Sequence, residues 1–546
     1  MGMGITLNRK VRSRIPEPSP IVREPEAPKR GRGRPRGAEN LTRERLNHER
    51  FLGVDLTKYW RVSNSLKNRI VATVATWTAG ILASFQQFYG NGGQDLFGFL
   101  TRDLQPRFSQ LGRELVSELL FEERGHLGQE INCCEPRCRG KLTYQGDVNK
   151  KIKTMVGEVV ARRSYYLGDC GHSCCPLDVR LGLGKHSALS DVLDLITDFT
   201  TSLAFGESVQ LLEKALPLKL SLNFVEDVTA TAAAYIKSEL DCEVAEVKAN
   251  PSKAASRRGS LIDGVILGTT DGGFVKVRDH SELTHEFKLV GFAEVVPIYG
   301  PSPADPDKYT KMFQTQNKGF IGHLASADVT FEYAQAEYFR RGLHQYKTVH
   351  FVADGAVWCL ARLIALAQED QEVSVVLDWW HADERLGEFT RSAYPYDESR
   401  ASDKAKILQT LLWNSDLDEF FKELSQISTE ATPPAGEPGC KAVLDFTADL
   451  KGKRMFFENR RAYLRYKECR ERALPVGSGV IEGGVRFLGK DRLDRTGMRW
   501  NIQGAENILI LRCAKYSGRL QELNQKRDLA NVVKFAKSKL AWLQAA

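Results

Sequence analysis

Two short apolar segments in the middle of this 546-residue chain each end in an acidic residue and lead into a helical pattern. The first, His350–Ala353, is followed by Asp354 and Gly355; the second, Val373–Leu377, is followed by Asp378. β-branched runs that alternate with helices predict parallel strands, whose carboxyl ends meet at one edge of a sheet. A helix cap or a turn explains either acid alone. The pair is what indicates a functional site.

The surrounding chain repeats this alternation. Short β-branched runs such as Val265–Leu267 and Phe274–Val277 precede the two acids, and residues 382–470 are mostly helical in pattern. This predicts an α/β domain with a mixed sheet, followed by helices. Asp263 and Asp271 each stand before a glycine between apolar runs. Asp-Gly in that context is a strong hairpin-turn signal, and pattern alone does not choose between the two pairs.

The formal charge of +8 is unevenly distributed. Residues 1–50 carry a net charge of +7 and residues 451–546 carry +13, so residues 51–450 carry −12. Basic ends of this kind are typical of chains that bind a polyanion. Residues 1–50 also contain six of the 20 prolines and few large apolar side chains, which predicts disorder. Within them Lys29–Gly37 resembles an AT-hook for A·T-rich minor grooves; a generic basic tail or a localisation signal is the alternative. Its DNA-binding residues would be Arg32, Arg34 and Arg36.

A glycine-rich apolar segment, Leu474–Gly484, contains one acid, Glu482. An unpaired carboxylate is costly to bury and glycines weaken a helix, so we expect this segment to approach another part of the protein closely. Basic residues follow, either as a solvated helix face or as contacts to DNA phosphates. They are Lys490, Arg492, Arg495 and Arg499.

Residues 181–258 return to a helical pattern. Two helical stretches, Ser208–Leu216 and Phe224–Ile236, are separated by a short break that ends at Ser221. This suits a helix-turn-helix in which Ser221 caps the recognition helix. Ordinary helical packing fits the pattern equally well.

Six of the 11 cysteines lie between Cys133 and Cys175. In a chain of this length, clustered cysteines favour metal ligands in a reducing compartment over a secreted disulfide framework. The longest apolar stretch, about residues 71–85, falls short of the roughly 18 residues that cross a bilayer. We therefore expect a soluble intracellular protein that has no membrane partner.

The order of motifs DGG, ADGAVW, LDWWH, LPVGSGVIEGG and KDRLDRTGMRW resembles bacterial insertion-sequence transposases of the Kra type. That family belongs to the Mutator-like branch of the DDE transposases. The resemblance runs from about residue 131 to 520, and its most specific part is the block from GSGVIEGG to DRLDRTGMRW.

The resemblance implies a ribonuclease-H-like core in which three acids hold two Mg²⁺ (or Mn²⁺) ions. Asp378 and His381 match an Asp-x-x-His element that is expected to position the acids or the DNA rather than to bind the metal. In such a site water nicks the element end, and a 3′-hydroxyl joins that end to target DNA. Asp263 remains the alternative to the first acid. By motif, the catalytic acids are Asp271, Asp354 and Glu482.

The resemblance also implies a zinc ribbon with two Cys-x-x-Cys-like knuckles, and this sequence departs from that pattern. Gly168 and Asp169 lie where the first cysteine of the second knuckle is expected. We predict a structural zinc ion with four ligands; a ribbon that has lost its metal is the alternative. The predicted ligands are Cys134, Cys138, Cys170 and Cys174, with Cys133, His172 and Cys175 as substitutes.

Together these observations predict a DNA transposase that binds terminal inverted repeats and target DNA as a homo-oligomer, in the bacterial cytoplasm at the nucleoid. The rivals are a domesticated, non-catalytic DNA-binding protein on the same scaffold and a ribonuclease-H-fold nuclease. The predicted domains are a basic tail (1–50), a helical domain (51–130), a zinc-ribbon-like module (131–180), a helical region with the helix-turn-helix (181–258), the first part of the core (259–390), a helical insertion (391–470), the second part of the core (471–520) and a basic C-terminal helix (521–546).

Overall fold

The structure is a computed structural model of the chain. It describes residues 64–530 apart from 94, 134, 136–137, 257–258, 279–282, 303–304, 432, 434–440 and 496. The chain divides into two units, 1–64 and 65–546, and the elements below belong to the second, except that the first helix begins at residue 64. The predicted tail with its AT-hook-like arginines lies outside the described residues. None of the helices in the described ranges combines the length and apolarity needed to cross a bilayer.

The first described part is helical, in agreement with its apolar spacing. Helices α1 and α3 are joined by ion pairs from Arg69 to Glu118 (2.6 Å) and to Glu122 (3.1 Å). The elements are α1 (Asn64–Gly90), α2 (Leu96–Gly98), a π-helical turn (Phe99–Leu104) and α3 (Gln105–Glu122).

A small antiparallel sheet follows, with its four strands in the order β1-β2-β3-β4. Strands β2 and β3 form a long hairpin, which closes where Thr154 pairs with Gly157. Gly157 has a φ of +120°, a conformation that L side chains rarely adopt, so the hairpin requires a glycine there. The elements are β1 (Glu130–Asn132), β2 (Lys141–Thr154), β3 (Gly157–Leu167), β4 (Ser173–Cys174) and the short helix α4 (Pro176–Arg180).

The next region is helical, as predicted, and Ser221 caps α7 by accepting a hydrogen bond from the backbone N–H of Phe224 at 3.2 Å. The inner face of α7 is not free, since Ile236 and Leu240 are buried in a cluster that includes residues of the C-terminal helices. The helix-turn-helix therefore stays a prediction. The elements are α5 (Ser190–Ser202), α6 (Phe205–Ala215), α7 (Leu222–Ala249) and α8 (Pro251–Ala254).

The predicted mixed α/β architecture is confirmed in a five-stranded sheet with the order β7-β6-β5-β8-β9. β5 pairs antiparallel with β6 and β6 with β7, whereas β5, β8 and β9 run parallel. Strand β8 is buried from Thr348 to Ala353, which suits a central strand covered on both faces. The elements are β5 (Ile262–Lys276), β6 (Thr284–Ser302), β7 (Asp305–His323), α9 (Ala327–Arg340), a 3₁₀ turn (Leu343–Gln345), β8 (Tyr346–Ala353), α10 (Val357–Ile364) and β9 (Glu372–Leu377).

Helices then pack on one face of the sheet, against β6, β5, β8 and β9. Leu386, Phe389 and Leu408 share a buried cluster with Val352 and Val376 of the strands. This cluster ties the helical segment to the sheet. The elements are α11 (Trp379–Ala393), α12 (Glu398–Trp413), α13 (Leu417–Glu430), α14 (Lys441–Glu458), a 3₁₀ turn (Arg461–Tyr463) and α15 (Tyr466–Glu471).

The last described part returns to the sheet. Ile481 and Leu488 pack with Phe287 and Leu289 of β6, and Leu509 belongs to the same buried cluster. This packing carries Glu482 to the sheet. The elements are α16 (Gly479–Gly484), a π-helical turn (Val485–Lys490), α17 (Asp491–Leu493), α18 (Ile502–Tyr516) and a helix over 520–530.

Candidate active site and candidate metal centre

The register of the mixed sheet brings three acidic residues to one edge. Thr270 of β5 pairs with Ala353 of β8, which pairs in turn with Leu377 of β9. Because these strands are parallel, the residues that follow lie at one level across the sheet. Asp263, the alternative first acid, is exposed near the opposite end of β5. The residues brought together are Asp271, Asp354 and Asp378.

Asp271 lies within β5, so the hairpin turn that the Asp-Gly pattern indicated is wrong at this position, as it is at Asp263. Its Oδ1 accepts a 2.7 Å hydrogen bond from the backbone N–H of Gly272. Burial raises the pKa of Asp271, and the negative charges of Asp354 and Glu482 raise it further. The Gly272 hydrogen bond opposes this shift. Asp271 therefore lies close enough to Asp354 and to Glu482 for both negative charges to act on it.

Asp354 directly follows β8 and caps the turn into α10, since its Oδ1 accepts a hydrogen bond from the backbone N–H of Ala356 at 2.9 Å. The turn requires Gly355, whose φ is +87° and where a Cβ would lie 2.6 Å from Leu377 Cδ1. Arg460 donates from Nε to the carbonyl of Gly355 at 2.6 Å. Burial lowers the pKa of Arg460, while the charge of Asp354 acts in the opposite direction. A cation thus lies beside the strand-end acid.

A chain of hydrogen bonds links Asp378 to Glu482. Asp378 is fully buried, and its Oδ1 accepts from the backbone N–H of His381 at 2.9 Å and lies 3.1 Å from the ring Nδ1. Its Oδ2 accepts from the backbone N–H of Ser478. Ser478 Oγ donates to Glu482 Oε1 at 2.7 Å. Asp378 therefore holds the start of the helix that carries Glu482.

His381 is a cation at neutral pH. Its hydrogen bond with Asp378 raises the pKa of His381 to about 9, and the charges of Asp354 and Asp271 act in the same direction. Burial raises the pKa of Asp378, but hydrogen bonds from His381 and Ser478 outweigh burial and hold that pKa below its usual range. A buried carboxylate and an imidazolium thus form a charged pair next to the acids.

The glycines around the third acid allow its helix to pack directly on the sheet. A Cβ at Gly489 would lie 2.3 Å from the ring of Phe287, and a Cβ at Gly484 would lie 3.3 Å from Phe320. On the sheet side, a Cβ at Gly273 would lie 2.5 Å from Phe287. The close approach predicted for this segment is confirmed.

Two of the four basic residues after Glu482 are used inside the protein. Arg492 is fully buried, and its Nε donates to the carbonyl of Thr200 at 3.0 Å. Arg495 pairs with Glu207 at 2.9 Å and is half-buried. Both tie the segment to α5 and α6, so the burial of Arg492 argues against the direct DNA contact predicted for it.

Lys490 and Arg499 remain exposed. No hydrogen bond or ion pair joins either side chain to another residue in the described part of the chain. They are the two residues of the predicted basic set that are free to meet a phosphate.

Four side chains of the small sheet converge between its strand ends. Their ligand atoms all lie within 4.8 Å of one another. Two of them come from the β1–β2 connection and two from the β3–β4 connection, as in two knuckles. They are Cys133, Cys138, Cys170 and His172.

The chemistry of this group suits a thiolate-binding metal. Cys133 Sγ lies 3.4 Å from His172 Nδ1, and the backbone N–H of Gly140 donates to Cys138 Sγ at 3.4 Å. Burial raises the pKa of Cys133 to about 11, whereas a hydrogen bond from the backbone of His172 lowers the pKa of Cys170 to about 7. Soft sulfur and imidazole ligands favour zinc over magnesium.

The group differs from the predicted zinc ligands in two places. Cys133 and His172, named as substitutes, belong to it, while Cys174 is buried in the core of the sheet and does not. Cys175 precedes α4 and is also outside the group. Cys134 lies outside the described residues.

At the acidic edge, the group whose ligand atoms lie within 4.8 Å is Asp378, His381 and Glu482. The predicted triad does not form such a group among the described residues. A site for two ions about 3.5–4 Å apart spreads its ligands more widely than a single-ion site, so the triad need not converge on one point. Carboxylate oxygens are the ligands that Mg²⁺ prefers.

Three residues at this edge were missed from the sequence. Ser478 bonds to Glu482 four residues later, a helical spacing that the GSGVIEGG motif contains. Trp380 is 62% exposed beside the buried Asp378, within a motif already singled out. Arg460 comes from the helical segment, and no signal in the sequence marked it.

A scan against protein-family models finds no match for this chain, and a search of curated proteins also finds none. Function is therefore inferred from the site and the motifs.

Proposed function

We propose that this protein is a DNA transposase that cuts and joins DNA strands with Asp271, Asp354 and Glu482. The observation that carries the proposal is the placement of the two aspartates on adjacent parallel strands, with Glu482 close enough to raise the pKa of Asp271. The sheet order, with three antiparallel strands (β7, β6 and β5) followed by two strands parallel to β5 (β8 and β9), is compatible with the ribonuclease-H-like core that the resemblance to Kra-type transposases implies.

The residues present fit two hard divalent cations. Mg²⁺ or Mn²⁺ held by the three acids would activate the attacking oxygen and stabilise the leaving oxygen at phosphorus. Asp378 positions Ser478, and Ser478 orients the carboxylate of Glu482. The cations of His381 and Arg460 lie beside the acids and can hold a phosphodiester against that edge.

The other parts of the chain would bind DNA and support the core. We assign a structural zinc ion to the group of Cys133, Cys138, Cys170 and His172, which would make the small sheet a zinc ribbon. The predicted helix-turn-helix, the basic tail and the exposed Lys490 would contact the terminal repeats. Assembly as a homo-oligomer on DNA in the bacterial nucleoid belongs to the same proposal.

The test is Mg²⁺-dependent cleavage of a duplex that contains an end of the element, taken from the DNA that flanks the reading frame. We expect Asp354→Asn and Glu482→Gln to abolish cleavage while binding the duplex as the unmodified chain does. Asp263→Asn is the matched control, because this acid lies on the same strand as Asp271 but away from the edge, and it should cleave normally. Unchanged cleavage in Asp354→Asn would overturn the proposal.

Two further outcomes separate the rival functions. If the chain cleaves but does not join an end with a pre-cut 3′-hydroxyl to a second DNA, it is a nuclease of the same fold. If it binds the repeats and performs neither reaction with Mg²⁺ or Mn²⁺, it is a non-catalytic DNA-binding protein.

A further inference from the structure

A cavity of about 620 Å³ opens where β5 leaves the sheet, beside the segment that begins α18. Trp500 borders it, and its backbone pairs with β5: its N–H donates to the carbonyl of Lys276 at 3.0 Å, and its carbonyl accepts from the N–H of Arg278 at 2.8 Å. The volume is in the range of small-molecule sites. Six residue steps along the chain separate Asp271 from Val277, or roughly 20 Å, and the cavity lining includes none of the acids of that edge, so the cavity is distinct from the acidic edge.

One wall of the cavity contains a buried arginine, Arg492, that forms no ion pair with any described residue, although the charge of Glu207 acts on it. Arg492 is fully buried between the rings of Phe205 and Trp500, with its guanidinium carbon 5.2 Å and 4.9 Å from their centroids. Its Nε bonds to a carbonyl, and its Nη1 has only the sulfur of Met498 at 3.7 Å. Its Nη2 has no hydrogen-bond partner within the described ranges. Most buried N–H groups in proteins have a partner, so the described residues satisfy this guanidinium only in part.

The surroundings of Arg492 favour an anion. Burial lowers the pKa of Arg492 to about 10, and the neighbouring charges of Arg495 and Arg512 lower it as well. An anion in the cavity would relieve this repulsion. The N-terminus of α18, a 15-residue helix, also borders the cavity and favours negative charge.

Two exposed arginines stand at the same cavity. Arg278 donates from Nε to the carbonyl of Arg499 at 2.8 Å, which joins the two chain segments. The lining contains three arginines, Arg278, Arg492 and Arg499, and one carboxylate, that of Glu226. The lining thus carries a net positive charge.

The remainder of the lining is apolar or amide. Phe205 and Ile508 supply apolar surface, while Gln503 Nε2 donates to Asn507 Oδ1 at 2.8 Å and leaves other amide donors and acceptors at the surface. Amide side chains match the donor and acceptor edges of nucleic-acid bases. A cationic end beside an apolar and amide end suits a phosphate joined to a base.

We propose that this cavity binds one nucleotide, with its phosphate against the exposed Arg278 and Arg499, attracted also by the buried charge of Arg492, and its base against the apolar and amide wall. With DNA as the source, the inference rests on the proposed function. The bound nucleotide would then be one that has swung out of the DNA strand whose backbone reaches the acidic edge. At about 3.4 Å per nucleotide along a duplex, that nucleotide lies on the order of six positions from the cut.

The test uses the full chain with Asp354→Asn, which prevents cutting, and two duplexes. One is fully paired; the other has a single unpaired 2-aminopurine in the same sequence. We expect the bulged duplex to bind about tenfold more tightly, because the unpaired nucleotide has already left its stack. Arg499→Ala, or Arg278→Ala, should remove most of this preference. Arg465→Ala, an exposed arginine outside the cavity, should keep it.

Equal affinity for the two duplexes in the parent chain overturns the cavity inference and leaves DNA binding intact. Binding of neither duplex overturns both the inference and the proposed function. If free dAMP displaces the bulged duplex, and Arg499→Ala or Arg278→Ala prevents this, the site is supported and its ligand is identified as a free nucleotide. If the unmodified chain does not cleave DNA but the Asp354→Asn chain still prefers the bulged duplex, the nucleotide site is supported and the proposed transposase function is refuted.

Discussion

Replacing Gly489 by alanine should destabilise the protein, although alanine is the better helix former. Gly489 lies in the π-helical turn after Glu482, and a Cβ there would lie 2.3, 2.9 and 3.0 Å from three atoms of the Phe287 ring. Ordinary carbon contacts are about 3.5–4.0 Å. Phe287 is fully buried and also fills the space that a Cβ at Gly273 would need, so the ring has no room to move.

The expected magnitude follows from two opposing effects. Overpacking of a tight core costs about 1–3 kcal/mol, and the better helix propensity of alanine returns up to about 1 kcal/mol. We expect Gly489→Ala to lower the free energy of unfolding by about 1–2 kcal/mol. Gly452 is the matched control, because it is exposed in α14 and a Cβ there would meet nothing within 4 Å. Gly452→Ala should raise stability by about 0.5–1 kcal/mol.

Thermal unfolding followed by circular dichroism would check this pair. The apparent midpoints of the two variants should differ by roughly 2 °C, with opposite signs relative to the parent chain, because an unfolding entropy of about 2.1 cal/mol/K per residue makes 1 kcal/mol worth only about 1 °C in a unit of this size. If the proposed function holds, Gly489→Ala should also lose DNA cleavage, because small displacements of a catalytic group are costly and this turn directly follows α16, which carries Glu482. Midpoints that shift equally in the same direction would show that the contact with Phe287 does not restrict this position.

Three other predictions concern separate parts of the chain. Burial lowers the pKa of His350 to about 4, so its contribution to stability should be fully present above pH 6.5 and be lost, by about 3 kcal/mol, as the pH falls from 6.5 towards 4. Thermal midpoints measured against pH should show this slope in the parent chain and not in His350→Gln; equal slopes in the two would contradict the prediction. Cys138→Ser should remove bound zinc, measured by atomic absorption, and Cys175→Ser should retain it; equal zinc content in both would refute the assigned ligands. Trp380→Ala should weaken DNA binding about tenfold in a fluorescence titration, because the exposed ring can stack on a base. The thermal midpoint should not shift, because the ring is 62% exposed. Unchanged affinity would exclude the contact between Trp380 and a base.

The strand-end acids could be predicted because their signal is local. Asp354 and Asp378 each follow a short apolar run and precede a helical pattern, and parallel strands bring such residues to one edge. Asp263 and Asp271 have the same local signal, a carboxylate before glycine. Only the pairing of Thr270 with Ala353 separates them, and pairing register is a long-range property.

The metal group and the basic run failed to be predicted in detail for a related reason. Cys133 and Cys134 are adjacent, so spacing does not select between them, and the strand geometry turns Cys133 towards His172. Arg492 reads as one more exposed cation in a basic run. It is buried because distant carbonyls and rings of α5, α6 and the Trp500 segment surround it.

The sequence alone determined the residue types, the alternation of strand and helix, and the order of the acids along the chain, because these depend on neighbours within a few positions. The tertiary structure decided which acid joins Asp354, that Asp378 holds Ser478 beside Glu482, and that an arginine of the basic run lines a cavity. These depend on strand register and on contacts between residues one hundred to three hundred positions apart, as between Ser478 and Asp378 or Arg492 and Thr200. The energy of such contacts exists only once the chain has closed the intervening loops.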